Sequence, residues 1–384
     1  MGRGEIITSS RPLLAGLTGI RALAAAWVIL EHFEKPIYAL LPGTVPLEPW
    51  INAGYLGVEI FFILSGFIIA YNYAERFRRF TWGNYRQFLE LRVARIYPVQ
   101  LATLLLVGVL VIAAAAVGVS LEAADKFTVP NFIANVFMLQ AIPPFEAWNG
   151  PAWSICAEFG AYLVFPLIAL GVAGVRSPRT GFLLSAAICA VTVVALMLYG
   201  TYVDTSPTSY GMIWLRIAGE FSMGCFLYSG WRYLGTRQTG RGWAIAAGVS
   251  IIAIGIVIGF STEKYQSLLA LPFIALFVLS CAGATGIVGR VLQSRVMIWG
   301  GKVSYSFYMT HFIVLMVVGK LLPWESFEQS SLVVRIGVLV AYFVGVYVAG
   351  TACYYLVEEP GRKLIRRLVK RSRKQPLPTQ VRSL

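Results

Sequence analysis

The chain has 384 residues, of which 58% are hydrophobic and 13% charged, and it carries a net charge of +14. That balance excludes an ordinary soluble domain, because several apolar runs reach the roughly 20 residues a helix needs to cross a bilayer. The surplus of cations sets topology rather than marking a nucleic-acid footprint, since it falls on alternate sides of those runs.

Hydropathy predicts an all-α, polytopic membrane bundle of about ten helices, near 13–33, 54–74, 96–119, 151–173, 181–200, 211–229, 243–260, 266–284, 303–322 and 332–356. The opening Met-Gly-Arg-Gly-Glu is too polar, and the first span too long, for a cleaved signal peptide. Residues 1–360 are expected to form one integral membrane domain and 361–384 a basic cytoplasmic tail. On one side, the N-terminal segment, the 75–95, 174–180, 230–242 and 285–302 loops and the tail hold 25 of the 32 Lys and Arg residues. The opposite loops hold only Lys35, Lys126, Lys264 and Lys320. By the positive-inside rule both termini are expected to be cytoplasmic and the span count even, and the inner (plasma) membrane is the expected host. The tail from Arg362 to Lys374 is basic enough to lie on anionic lipid. Cys156, Cys189, Cys225, Cys281 and Cys353 are dispersed through the spans without metal-like spacing, so no metal site is expected.

The first span holds one of only two histidines. Arg21 and His32 are eleven residues apart, so on a helix they share a face about 16 Å apart along the axis. A cation and a titratable base at different depths can hold two ends of a long substrate. In the second span, Gly57-Val-Glu-Ile-Phe-Phe-Ile-Leu-Ser-Gly66 places Ser65 and Gly66 where small residues permit close helix approach, and leaves Glu59 open. Arg92 and Arg95, three apart before Tyr97-Pro98, share a face at the cytoplasmic mouth. They either set topology or grip phosphates with paired guanidinium forks.

The fourth span opens Gly-Pro-Ala-Trp-Ser-Ile-Cys-Ala-Glu158, and Glu158 lies about two turns in, where a carboxylate needs a partner. A pairing of Glu158 with His32 is allowed by depth. Arg216 and Glu220 in the sixth span are spaced for an internal ion pair. In the ninth, Ser304, Tyr308 and His311 line one face, as a packing stripe or a catalytic one.

Taken in order, Leu17-Thr-Gly-Ile-Arg21 followed by His32, the Gly57 to Gly66 stretch, Arg92-x-x-Arg95, Trp153 to Glu158, Ser304 to His311 and Glu359-Pro360 resemble the type 3 acyltransferase family, along nearly the whole chain. Those are integral membrane enzymes that acylate carbohydrates and related acceptors at the cell surface. The resemblance implies His32 as the essential histidine, Arg21 as its companion, and Arg92 with Arg95 in an acyl-CoA site. Thr18 and Glu59 depart from the Asp that many relatives carry at those positions. A short form without an appended esterase-like domain is expected.

The scheme that follows takes acyl-CoA, acetyl-CoA by preference, as a donor substrate with no permanently bound cofactor. Its acceptor is a hydroxyl of a carbohydrate or glycolipid outside the membrane. Phosphates sit on Arg92 and Arg95, the pantetheine arm passes Arg21, and the thioester reaches His32, which acts as general base or transient acyl carrier. Glu158 or His311 orients the imidazole. Two other functions compete. A secondary transporter with an Arg/His/Glu relay predicts internal repeats, and no convincing repeat joins the two halves. A non-catalytic lipid or glycan binder would tolerate loss of His32.

Overall fold

Apolar runs leave the backbone one way to satisfy its polar groups in lipid, and they fold as helices. The computed structural model describes residues 14–121, 123–206, 208–234 and 240–371. Residues 1–13 and 372–384, whose cations enter the topology argument, lie outside the described residues. Ten helices correspond to the ten predicted spans: α1 (Ala15–His32), α2 (Leu56–Tyr73), α3 (Trp82–Ala116), α4 (Trp153–Gly174), α5 (Pro178–Tyr202), α6 (Tyr210–Trp231), α7 (Arg241–Phe260), α8 (Leu271–Gly283), α9 (Arg295–Leu321) and α10 (Leu332–Cys353). A further helix, α11 (Glu359–Arg371), begins the basic tail. No strand forms among the described residues.

By length and composition, eight helical stretches are apolar enough to cross a membrane. The two of the ten outside that set are α1 and α6, which carry Arg21, Glu31 and His32, and Arg216 and Glu220. The polar residues that depress their hydropathy are those that build the interior. Accordingly α1 lies against α2, α8 and α9, and α6 against α2, α4 and α5.

Close helix approach rests on glycine. A side chain at Gly66 would strike the Phe221 carbonyl of α6, and one at Gly224 would strike the Ile63 carbonyl of α2, so the two glycines seat α2 and α6 reciprocally. Gly301 of α9 likewise sits on the Thr18 carbonyl of α1.

The largest boundary difference is at the start of the third span. The predicted 75–95 loop is helical from Trp82, because Thr81 accepts the Asn84 N–H at 3.2 Å as a helix cap and Arg86 pairs with Glu90 at 2.8 Å one turn apart. Arg92 and Arg95 therefore stand on a rigid helix rather than in a loop. At the far end of the chain, α10 closes in a π-helical turn, Tyr354–Glu358, before α11.

Candidate active site

Arg21 and His32 occupy one face of α1, as their spacing requires. Arg21 Nε donates to Ser304 Oγ of α9 at 3.3 Å, and its guanidinium lines a cavity of about 110 Å³ between α1, α2, α3, α4 and α9. Arg92, Arg95, Ser65, Glu158 and Tyr162 line the same cavity. Glu158 accepts from the Ser65 hydroxyl and from the Tyr162 hydroxyl, both at 2.6 Å. Arg92 donates to Tyr73 Oη at 2.9 Å, and its guanidinium lies 5.1 Å from the Tyr73 ring centre and 5.9 Å from that of Tyr162.

Arg95 is placed differently. It forms a buried ion pair with Glu358 of the π turn, and Glu358 accepts a second bond from Ser306 Oγ at 2.6 Å. Its charge is cancelled within the protein, whereas Arg21 and Arg92 are held by neutral oxygens and aromatic faces. Three guanidiniums against the carboxylates of Glu158 and Glu358 leave the cavity with a positive excess, which suits an anionic ligand. Its volume falls below the roughly 300 Å³ of a pocket for a drug-sized ligand. It fits a narrow chain better than a nucleotide.

The histidines meet at the other end of α1. The rings of His32 and His311 lie edge to face with centres 4.8 Å apart, and Phe312 closes on His32 at 6.0 Å. His32 Nδ1 lies 2.9 Å from the Val28 carbonyl oxygen, which can only accept, so Nδ1 carries the hydrogen and Nε2 is left with the lone pair. Glu31 Oε2 lies 2.8 Å from the same nitrogen, and Glu31 Oε1 is 3.9 Å from Lys264 Nζ. His311 is completely buried with neither ring nitrogen hydrogen-bonded. Tyr308, whose ring centre is 5.8 Å from that of His311, also lines the Arg21 cavity and bonds Ser154 Oγ at 2.8 Å and the Pro151 carbonyl at 3.1 Å. The cavity lining ends at Tyr308 and includes neither histidine.

Several expectations are corrected by this geometry. Glu158 does not stand at His32; its oxygen is held by Ser65 and Tyr162, and the carboxylate beside the imidazole is Glu31. Ser65 is therefore a hydrogen-bond donor, and only Gly66 of that pair seats a neighbouring helix. Arg95 is engaged by Glu358 instead of standing free beside Arg92. Arg216 takes its ion pair across helices from Glu59, with Nε 3.2 Å from Oε2, where the spacing pointed to Glu220. In the Glu359-Pro360 motif the buried acid is Glu358, while Glu359 pairs at the surface with Lys363 at 2.6 Å, which holds its carboxyl below the ordinary range. Glu31 and Glu358 carried no motif of their own. Adjacent residues on a helix do not normally face one another, and a π turn leaves no compositional trace.

Comparison with known proteins decides the family. A sequence profile described as an acyltransferase domain matches residues 14–355, nearly the whole chain. The chain belongs to the type 3 acyltransferase family. It is similar to the acyltransferase MdmB of Streptomyces mycarofaciens, at 25% identity over 372 residues that cover 92% of this chain and 93% of the relative. It is also similar to the putative peptidoglycan O-acetyltransferase YrhL of Bacillus subtilis, at 22% identity over 81% of this chain and 50% of that protein. Similarity to the peptidoglycan O-acetyltransferase OatA of Listeria monocytogenes is 22% over 80% of this chain and 50% of that protein. The chain thus spans about half the length of the last two. No solved structure matches it significantly. This family member is a multi-pass membrane O-acyltransferase.

Proposed function

We propose that this acyltransferase moves an acyl group, acetyl by preference, from cytoplasmic acyl-CoA to a hydroxyl of an extracytoplasmic carbohydrate or related acceptor, with His32 as general base. One observation carries the reading. A single helix presents Arg21 in a positively charged, narrow cavity at one level and a tautomer-defined imidazole at the other. His32 shares its end of the bundle with Lys264, and Lys126 lies over the Phe312 ring at 5.6 Å; these are two of the few cations on the sparsely charged side. Arg92 and the α11 cations share the basic side, which the positive-inside rule makes cytoplasmic.

The chemistry balances at His32. Nε2 takes the proton of the acceptor hydroxyl as its oxygen attacks the thioester carbonyl, the C–S bond breaks, and the imidazolium returns the proton to the departing thiolate. The acceptor emerges as an ester and the donor as free CoA thiol. Arg92, with a free Nε and the α11 side chain of Arg366 electrostatically beside it, is the guanidinium available to the donor's phosphates. Because the cavity stops at Tyr308, the donor arm reaches His32 only when that ring yields. The peptidoglycan named for two relatives makes a glycan the first acceptor to assay.

A transporter is disfavoured by the family and by the partners of the buried charges. Arg95 and Arg216 are neutralised by Glu358 and Glu59 rather than arranged as a relay. The direct test is labelled acetyl transfer by the purified protein in lipid vesicles, wild type against His32→Ala. Label in the acceptor that depends on His32 supports the reading, and undiminished transfer without His32 removes it.

A further inference from the structure

His32 lies at the C-terminal end of α1, where its ring turns back over Val28 and brings Nδ1 between a backbone carbonyl and the carboxylate of the preceding residue. The Val28 oxygen at 2.9 Å fixes which nitrogen is protonated. It carries no net charge. Glu31, with its side chain only 16% exposed, supplies one: its Oε2 lies 2.8 Å from Nδ1 as a charge neighbour, while the Nδ1 hydrogen bond itself goes to Val28. Lys264, from the segment between α7 and α8, holds the other Glu31 oxygen at 3.9 Å. That segment is itself tied down, because the Tyr55 hydroxyl donates to the Lys264 carbonyl. The remaining groups around the imidazole are His311, Glu34 and, beyond the Phe312 ring, Lys126. Burial pushes the Glu34 carboxyl above its usual range, and it makes no contact with Nδ1.

We infer that Glu31 is the positioning carboxylate of His32: it holds the imidazole on the side away from Nε2 and stabilises the imidazolium that forms when Nε2 takes the acceptor proton. The inference rests on the reading of His32 as general base. Glu31 gains no proton itself; the proton travels from the hydroxyl to Nε2 and on to the departing thiolate. In a half-buried site, an anion fixed at the opposite nitrogen acts selectively on the charged intermediate state of the ring. Lys264 keeps the carboxylate in place and links the imidazole to the segment between α7 and α8, on the side where the acceptor arrives.

Two histidines in the chain make the test tractable, since ¹⁵N-histidine labelling yields two imidazoles and His32→Ala assigns them. In lipid nanodiscs, Glu31→Gln is expected to shift the His32 ring nitrogens and Glu31→Asp to restore them, with Glu34→Gln leaving them unmoved. With acetyl-CoA as donor and soluble peptidoglycan fragments as acceptor probe, Glu31→Gln should lower kcat roughly 10- to 100-fold while the KM for acetyl-CoA stays unchanged. The loss stays below that of a site where a carboxylate alone sets the tautomer, because Val28 remains. His32 resonances indifferent to Glu31→Gln, or equal losses in Glu31→Gln and Glu34→Gln, would overturn the inference. The spectra are read without turnover, so a failure of the acyltransfer reading shows separately, as wild-type protein that transfers nothing.

Discussion

Replacing Arg95 by Gln should destabilise the protein more than replacing Arg92, although the two stand three residues apart on one helix. Glu358 is 1% exposed and the Arg95 side chain 11%, so removing the cation strands a carboxylate away from water. Breaking a buried pair from one side costs about 3–5 kcal/mol. Removing both charges relieves that penalty: in Arg95→Gln/Glu358→Gln the residue at 358 still accepts from Ser306, and a deficit of about 1–2 kcal/mol remains. Arg92 strands no carboxylate and loses only its bond to Tyr73 and two ring contacts, about 2 kcal/mol. The assay is a double-mutant cycle on unfolding in lipid nanodiscs, with wild type, both single variants and the double variant. A coupling of at least about 2 kcal/mol is expected. Additive effects, or an Arg95→Gln variant as stable as Arg92→Gln, would refute the assignment of Arg95 to a structural pair.

Three further outcomes follow from the same geometry. Arg92→Gln should weaken intact acetyl-CoA about 10- to 100-fold, the worth of one charge-assisted contact, and leave a pantetheine thioester without nucleotide phosphates unaffected; equal losses for both donors would remove Arg92 from the phosphate site. His311→Ala should retain measurable transfer where His32→Ala retains none, and equal abolition would show that the buried second ring shares the chemistry. Gly66→Leu should lower the yield of folded protein, because its side chain meets the Phe221 carbonyl; normal folding and thermal stability would show that α2 and α6 separate freely.

How much of this was legible in the sequence depends on the range of the interaction. The helical bundle is legible because apolar backbone in lipid satisfies its polar groups only within helices, and because Arg21 and His32 lie on a single helix whose pitch fixes their relation. Partnerships between helices are not. Depth alone aligns Glu158 with His32, yet its oxygen is taken by Ser65 of α2 across the helix contact and by Tyr162 one turn along α4 itself. Arg216 had a carboxylate one turn away, but Glu59 on α2 offers both oxygens to the fork. The π turn at the end of α10 carries Glu358 to Arg95, and no residue type announces it. Glu31 was in plain view beside His32, and its contact arises because the ring folds back at the helix end.

The central property proposed for this enzyme is the sidedness of transfer. Purified protein reconstituted in one orientation, with [¹⁴C]acetyl-CoA confined to the face of Arg92 and α11 and peptidoglycan fragments confined to the face of His32, gives the deciding measurement. Acetylated glycan on the His32 face and free CoA thiol on the other are expected, both lost in His32→Ala. Acetylation only when donor and acceptor share a face would contradict that sidedness.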